Sequence, residues 1–194
     1  MFAFISGIIV EKTPTYAVID CQGVGYHLHI SLNTYSKLPE TGICRLYVHQ
    51  VIREDAHLLF GFADQDERTI FRHLITVQGV GANTARMILS SMNVQDVISA
   101  INRGGVSDFQ SVKGIGAKTA QKIILDLKDK VGKEEFQGQI FSSGYNTVGK
   151  EALSALILLG FPKNQAEKAV NQIIKNSGDA VNLEDLIKTA LKIL

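Results

Sequence analysis

The chain has 194 residues, 45% of them hydrophobic and 20% charged, and a net charge of only +1. This is ordinary globular composition, sized for one or two domains, and so neutral a chain does not advertise a nucleic-acid partner by bulk charge. The first apolar run, residues 2–10, is too short for a bilayer and has no basic stretch before it, so the sequence predicts a cytoplasmic protein with no membrane segment and no secretory signal.

Residues 1–63 read as all-β. Short runs rich in Val, Ile, Tyr and Phe at 2–10, 16–21, 25–31, 44–52 and 58–62 alternate with turn residues such as Thr13-Pro14-Thr15, Gln22-Gly23 and Arg53-Glu54-Asp55-Ala56. Five strands in so short a segment are too few for a sandwich. A closed or nearly closed five-stranded OB-type barrel disposes of the edge strands best. Residues 33–37 are predicted as a helical turn between the third and fourth strands. Cys21 and Cys44, in separate strands, read as small buried hydrophobes rather than a disulfide. No Cys/His cluster has zinc-ligand spacing, so neither a metal nor a cofactor is expected.

Residues 64–131 read as helical. Asp64-Gln65-Asp66-Glu67 begins the first helix with acidic residues, where the helix dipole favours them. Phe71, Leu74 and Ile75, then Met87 and Ile88, recur at helical spacing. Asn93 can cap a helix carrying Val97, Ile98 and Ile101, which Arg103-Gly104-Gly105 stops. This segment carries a net charge of +2 against −1 for residues 1–63. Residues 132–146, rich in Gly, Ser and Gln without periodicity, read as a flexible linker.

Residues 147–194 read as three short helices. Thr147 is the expected cap of the first, with Leu153, Leu156, Ile157 and Leu159 inward and a stop at Gly160-Phe161-Pro162. Asn164 is the expected cap of the second, which buries Ala166, Ala169, Val170 and Ile173. Asn182 is the expected cap of the third, which buries Leu183, Leu186, Ile187 and Leu191.

The strongest signal is internal. Val77-Gln78-Gly79-Val80-Gly81-Ala82-Asn83-Thr84-Ala85-Arg86-Met87-Ile88 recurs 35 residues later as Val112-Lys113-Gly114-Ile115-Gly116-Ala117-Lys118-Thr119-Ala120-Gln121-Lys122-Ile123. Two glycines flanking one apolar residue make a tight turn with no side chain to hold a ligand away. Val80 or Ile115 anchors the turn in the core. The second glycine opens a helix whose first amides point outward with the positive dipole end behind them, which suits phosphate. Lys118 can add a charge-assisted bond. Phosphate contacts of this kind position DNA without reading its sequence. A nucleotide P-loop is rejected at Gly116-Ala117-Lys118-Thr119, because Ala117 breaks the Gly-Lys-Thr adjacency and no strand precedes it. Gly23-Val24-Gly25, inside a β segment, reads as a turn or bulge rather than a dinucleotide fingerprint.

The small barrel with Arg53-Glu54-Asp55 in a hairpin, then Leu59-Phe60-Gly61-Phe62, the paired Gly-Val-Gly and Gly-Ile-Gly hairpins, a loose linker and a three-helix tail together resemble the RuvA family of bacterial Holliday junction branch-migration proteins. The resemblance covers essentially the whole chain. It implies a non-catalytic subunit that binds a four-way junction without regard to sequence, in recombination and repair. It implies a homotetramer, alone or as two tetramers clamping one junction. Each subunit would hold DNA through Gly79, Val80, Gly81, Asn83, Thr84 and Arg86 in the first hairpin and Lys113, Gly114, Ile115, Gly116, Lys118, Thr119 and Lys122 in the second. Glu54 and Asp55, with Arg53, match the family's acidic pin, whose carboxylates would repel phosphates and keep the arms apart at the crossover. The tail, which matches a ubiquitin-associated-like three-helix fold, would dock the motor ATPase RuvB through the Leu159-Gly160-Phe161 region, and the RuvC resolvase is a further implied partner. Asn83 and Ala117 stand where family members commonly carry basic residues, which leaves Arg86, Lys113, Lys118 and Lys122 to compensate.

Two other functions fit parts of the pattern. A nuclease or glycosylase can carry the same hairpins but needs a catalytic constellation. Glu54 and Asp55 are adjacent in a turn without evident partners, and His27, His29, His49, His57 and His73 are scattered. A single-strand binder would use barrel aromatics such as Tyr26, Tyr35 and Tyr47, yet residues 1–63 offer no Trp and no basic groove.

Overall fold

The computed structural model describes residues 2–131, 147–177 and 182–194. The chain divides into two compact units, residues 1–137 and 138–194. The linker expected at 132–146 lies outside the described residues.

The first unit opens with β1 (Phe4–Lys12), β2 (Tyr16–Cys21), β3 (Val24–His29), α1 (Leu32–Lys37), β4 (Ile43–Ile52) and β5 (His57–Phe62). The strands close into a barrel in the order β1-β2-β3-β5-β4. The closing β3–β5 ladder is parallel and short, with Leu28 opposite Leu59 and His29 opposite Phe60. Side-chain alternation sends Ile5, Ile9, Ala17, Ile19, Leu28, Leu46 and Val48 into the barrel core. The first strand starts and ends later than the apolar run at 2–10, because its pairing with β2 continues through a bulge between Ile9 and Glu11. Cys21 and Cys44 are free thiols; Cys44 is buried as expected, whereas Cys21 is only half-buried. Burial, then the neighbouring Cys21, pushes the Cys44 thiol up.

Five helices follow: α2 (Gln65–Thr76), α3 (Ala82–Ser91), α4 (Val94–Arg103), α5 (Val106–Gln110) and α6 (Ala117–Val131). Asp64 caps α2 by accepting the Glu67 amide. Asn93 and Asp96 form a reciprocal capping box on α4, and Gly104, in the left-handed region, ends it. The barrel and these helices share one core. Phe60 and Phe62 at the end of β5 pack on Phe71 of α2, with ring centroids 5.1 and 4.9 Å apart.

Beside that core lies a buried carboxylate. Glu67 of α2 is 1% exposed. The hydroxyls of Ser31 and Thr34 both donate to it, Thr34 at 2.7 Å. Each hydroxyl in turn accepts a backbone amide, Thr34 N for Ser31 and Ala63 N for Thr34. Burial raises the Glu67 pKa, and the two hydroxyl donors oppose that rise.

The second unit holds α7 (Thr147–Leu158), α8 (Lys163–Ser177) and α9 (Leu183–Ile193), packed around Ala152, Leu156, Ala166, Ala169, Val170, Ile173, Leu186 and Ala190. Three expectations need correction. Ile157 is exposed because it follows the inward-facing Leu156 on the outer face of α7, and Leu159 because α7 stops at Leu158 and the chain turns away through a Schellman motif. In that motif the Phe161 amide donates to Leu156 O, the Gly160 amide donates to Ile157 O, and Gly160 is left-handed. Asn164 is not a cap; α8 starts at Lys163, and the carbonyl of Pro162 receives the amides of Gln165 and Ala166. Proline fits there because it has no N–H to leave unpaired. Leu191 is exposed, and Ala190 takes the buried position on α9. Asn182 caps α9 as expected, accepting the Asp185 amide at 2.8 Å. α7 takes Thr147 as its first residue, and the capping role expected of its side chain lies outside what is described.

Candidate nucleic-acid interface

Each glycine pair closes a turn between two helices of the first unit. In the first, the Val80 amide donates to Val77 O at 3.0 Å; in the second, the Ile115 amide donates to Val112 O at 3.1 Å. Val80 and Ile115 are buried and so anchor both turns. The leading glycines, Gly79 and Gly114, have φ of 95° and 90°, a conformation that side chains resist.

The second glycines differ. Gly81 has an ordinary φ of −82°, and Gly116 is not among the left-handed residues. A Cβ placed on either would meet nothing within 4 Å. Neither backbone conformation nor packing within the chain therefore calls for glycine. What each glycine does is leave bare surface in front of a helix start. The Gly81 carbonyl accepts the Ala85 amide at 2.9 Å and the Gly116 carbonyl accepts the Ala120 amide at 3.0 Å, so both stand at the cap position. The amides of Ala82, Asn83 and Thr84, and those of Ala117, Lys118 and Thr119, donate to no group among the described residues.

The two turns adjoin. A Cβ on Gly79 would lie 3.8 Å from Thr119 Oγ1, and Lys122 Nζ donates to Gln78 Oε1 at 2.5 Å. Two sets of free amides thus open on neighbouring surface, flanked by the exposed Asn83, Lys113 and Lys118, with Thr84, Thr119 and Lys122 half-buried.

Arg86 is placed otherwise than the sequence suggests. Its guanidinium donates to Thr15 O of the barrel at 2.8 Å, and burial lowers its pKa. It holds α3 to the barrel rather than standing free beside the hairpin. Next to it runs a row of rings: Tyr16 stacks on His27 at 4.5 Å, His27 meets His29 at 5.0 Å, and His29 meets Phe60 at 5.5 Å. Burial, then the charges of His27 and Arg86, holds the His29 pKa below its usual value. Among the described residues no group of three His, Cys, Asp or Glu side chains is arranged to hold a metal ion.

Arg53, Glu54 and Asp55 form the exposed tip between β4 and β5, closed by the Arg53 amide donating to Ala56 O at 2.8 Å. Neither carboxylate has a hydrogen bond or ion pair among the described residues. In the tail, Leu158 and Leu159 are exposed and Phe161 is half-buried against the three-helix core. The contacts that tie α1 to α2 and α3 carry no sequence signal, since Ser31, Asn33, Thr34 and Glu67 are unremarkable residue types at unremarkable spacing. No described helix is long and apolar enough to cross a membrane.

Comparison with known proteins accounts for nearly all of the chain. The RuvA N-terminal domain model matches residues 1–61, a SAM-like tandem helix-hairpin-helix model residues 71–129, and the RuvA C-terminal domain model residues 147–194. Proteins called Holliday junction branch migration complex subunit RuvA are similar over their whole length. That of Flavobacterium psychrophilum is 52% identical over 192 residues, that of Christiangramia forsetii 50% over 192, and that of Bacteroides thetaiotaomicron 45% over 200. Each alignment spans 99% of both chains.

Proposed function

The chain belongs to the RuvA family, and from that premise we propose that it is the Holliday junction DNA-binding subunit of a branch-migration complex. It grips the arms of a four-way junction through phosphates, without reading sequence, and itself catalyses no reaction. The observation that carries this reading is the pair Gly81 and Gly116, bare where nothing inside the protein needs glycine and fronting unpaired helix amides.

Within that reading Gly79, Val80, Gly81, Asn83 and Thr84 make one phosphate clamp. Lys113, Gly114, Ile115, Gly116, Lys118, Thr119 and Lys122 make the other. Arg86 supports the first clamp from behind. The protein works as a homotetramer in the cytoplasm, one or two tetramers to a junction. Its 147–194 domain recruits the RuvB ATPase, for which the exposed Leu158 and Leu159 beside Phe161 offer an apolar foothold. The RuvC resolvase is a further partner.

Glu54 and Asp55, unpaired at a hairpin tip, cannot add affinity for phosphate. They repel it, and so keep the crossover open. In gel-shift titrations the protein should prefer a four-way junction to linear duplex of the same sequence. Glu54→Gln with Asp55→Asn should change junction unfolding and migration while leaving junction affinity equal or higher. Equal affinity of the native protein for both DNAs would contradict the junction reading, and a large loss of affinity in the double variant would contradict the repulsive pin. Junction cleavage in Mg²⁺ would point instead to a nuclease.

A chain ending at residue 146 should bind junctions as the full chain does and fail to support ATP-driven migration by the motor. Migration at the full rate without the tail would remove its docking role.

A further inference from the structure

α3 carries the first clamp at its N-terminus, and its far end is fixed by a residue of the barrel. The carbonyls of Leu89 and Met92 would ordinarily accept the amides four residues on, those of Asn93 and Asp96. Both amides are taken by the capping box that starts α4: Asn93 N donates to Asp96 Oδ2 at 3.2 Å, and Asp96 N donates to Asn93 Oδ1 at 2.9 Å. The two orphaned carbonyls are served from α1. Asn33 Nδ2 donates to Leu89 O at 2.6 Å and to Met92 O at 3.0 Å, one hydrogen to each. Beside it, the Leu32 amide donates to Ser90 Oγ at 3.2 Å, and Ser90 Oγ donates to Arg86 O at 2.8 Å. Arg86 reaches back to Thr15 O. The helix is thus pinned to the barrel unit at two levels, and among the described residues Asn33 alone serves the Leu89 and Met92 carbonyls.

We infer that Asn33 is a positioning residue for junction selectivity, fixing the angle between the first phosphate clamp and the barrel that carries the acidic tip. This inference rests on the junction-binding reading above. On linear duplex a subunit's clamps act alone, and the barrel's orientation hardly matters. On a four-way junction the clamps must hold arms while the acidic tips meet the crossover, so a helix free to tilt loses the fit. Removing the amide leaves the clamp residues themselves untouched.

The test compares the full-length native protein, Asn33→Ala and Asn33→Ser on a synthetic four-way junction and on linear duplex, with thermal melts of each protein. Serine keeps a polar group in α1 but is too short to span both carbonyls, so it serves should the alanine variant fail to fold. Each folded variant should lose about tenfold in junction affinity and stay within about twofold of native on duplex, the size expected for one lost pair of hydrogen bonds. Equal losses on both DNAs would show a merely structural role and overturn the inference, as would unchanged junction affinity. A native protein that itself does not prefer the junction would overturn the reading beneath it, a failure visible in the native arm alone.

Discussion

Replacing Gly81 and Gly116 together with valine is expected to lower junction affinity by about 100-fold or more while the protein stays folded. The folded state should tolerate the change because both positions have ordinary backbone conformations and an added Cβ meets nothing within 4 Å. Valine is a poor helix cap, which costs about 1 kcal/mol at each position. On the DNA side the branched side chain stands between the free amides and any phosphate. Charge-assisted hydrogen bonds are worth about 1.5–3 kcal/mol each, and several are lost at once. Isothermal or gel-shift titration with a four-way junction, beside a thermal melt, checks both halves. Native affinity in a folded double variant would end the amide-clamp account. The leading glycines make a poorer test, since valine at their positive φ would strain the fold directly.

The second large effect concerns stability. Glu67→Ala should cost about 3 kcal/mol, because it removes the acceptor of two buried hydroxyl donors. Glu67→Gln keeps the shape but turns an NH₂ toward one of those hydroxyls, so it should fall between alanine and native. The pH dependence carries a definite sign. Burial raises the folded pKa of Glu67 above its unfolded value. Its contribution to stability is therefore fully present below the unfolded pKa, near 4.5, and is lost as pH rises through the folded pKa. The stability advantage of the native protein over Glu67→Gln should shrink across that window. Chemical denaturation of both proteins from pH 4 upward, the range set by this carboxyl, measures it. An advantage that grows with pH would mean that the hydroxyl donors outweigh burial.

Much of this architecture could be read from residue pattern, and the successes and failures have separate causes. Strands declared themselves as short runs of β-branched and aromatic residues between turn residues, and the pleat then sends Ile5, Ile9, Ile19 and Leu28 inward. Asp64, Asn93 and Asn182 act as caps because a short polar side chain beside a helix start has one obvious use. The repeated glycines were visible as a duplication, which chance seldom produces. Misplacements occur where an end of an element is decided by geometry beyond its own residues. Leu159 has the right spacing for the α7 core, but the Schellman turn ends the helix one residue earlier. Asn164 looks like a cap, yet Pro162 two residues before it starts α8 first. Arg86 has the charge for DNA, and only the path of the β1–β2 loop shows that Thr15 claims it. Asn33 could not be singled out at all, because its partners lie 56 and 59 residues away.

The core shared by Phe60, Phe62 and Phe71 has a mechanical consequence. Family models break between residues 61 and 71, whereas the aromatic packing runs straight across that stretch. On the junction-binding reading proposed above, load placed on the glycine turns would pass into the barrel through these packed rings instead of a joint. Residues 2–131 would then take such a load as one block, with no seam between the strands and the helices.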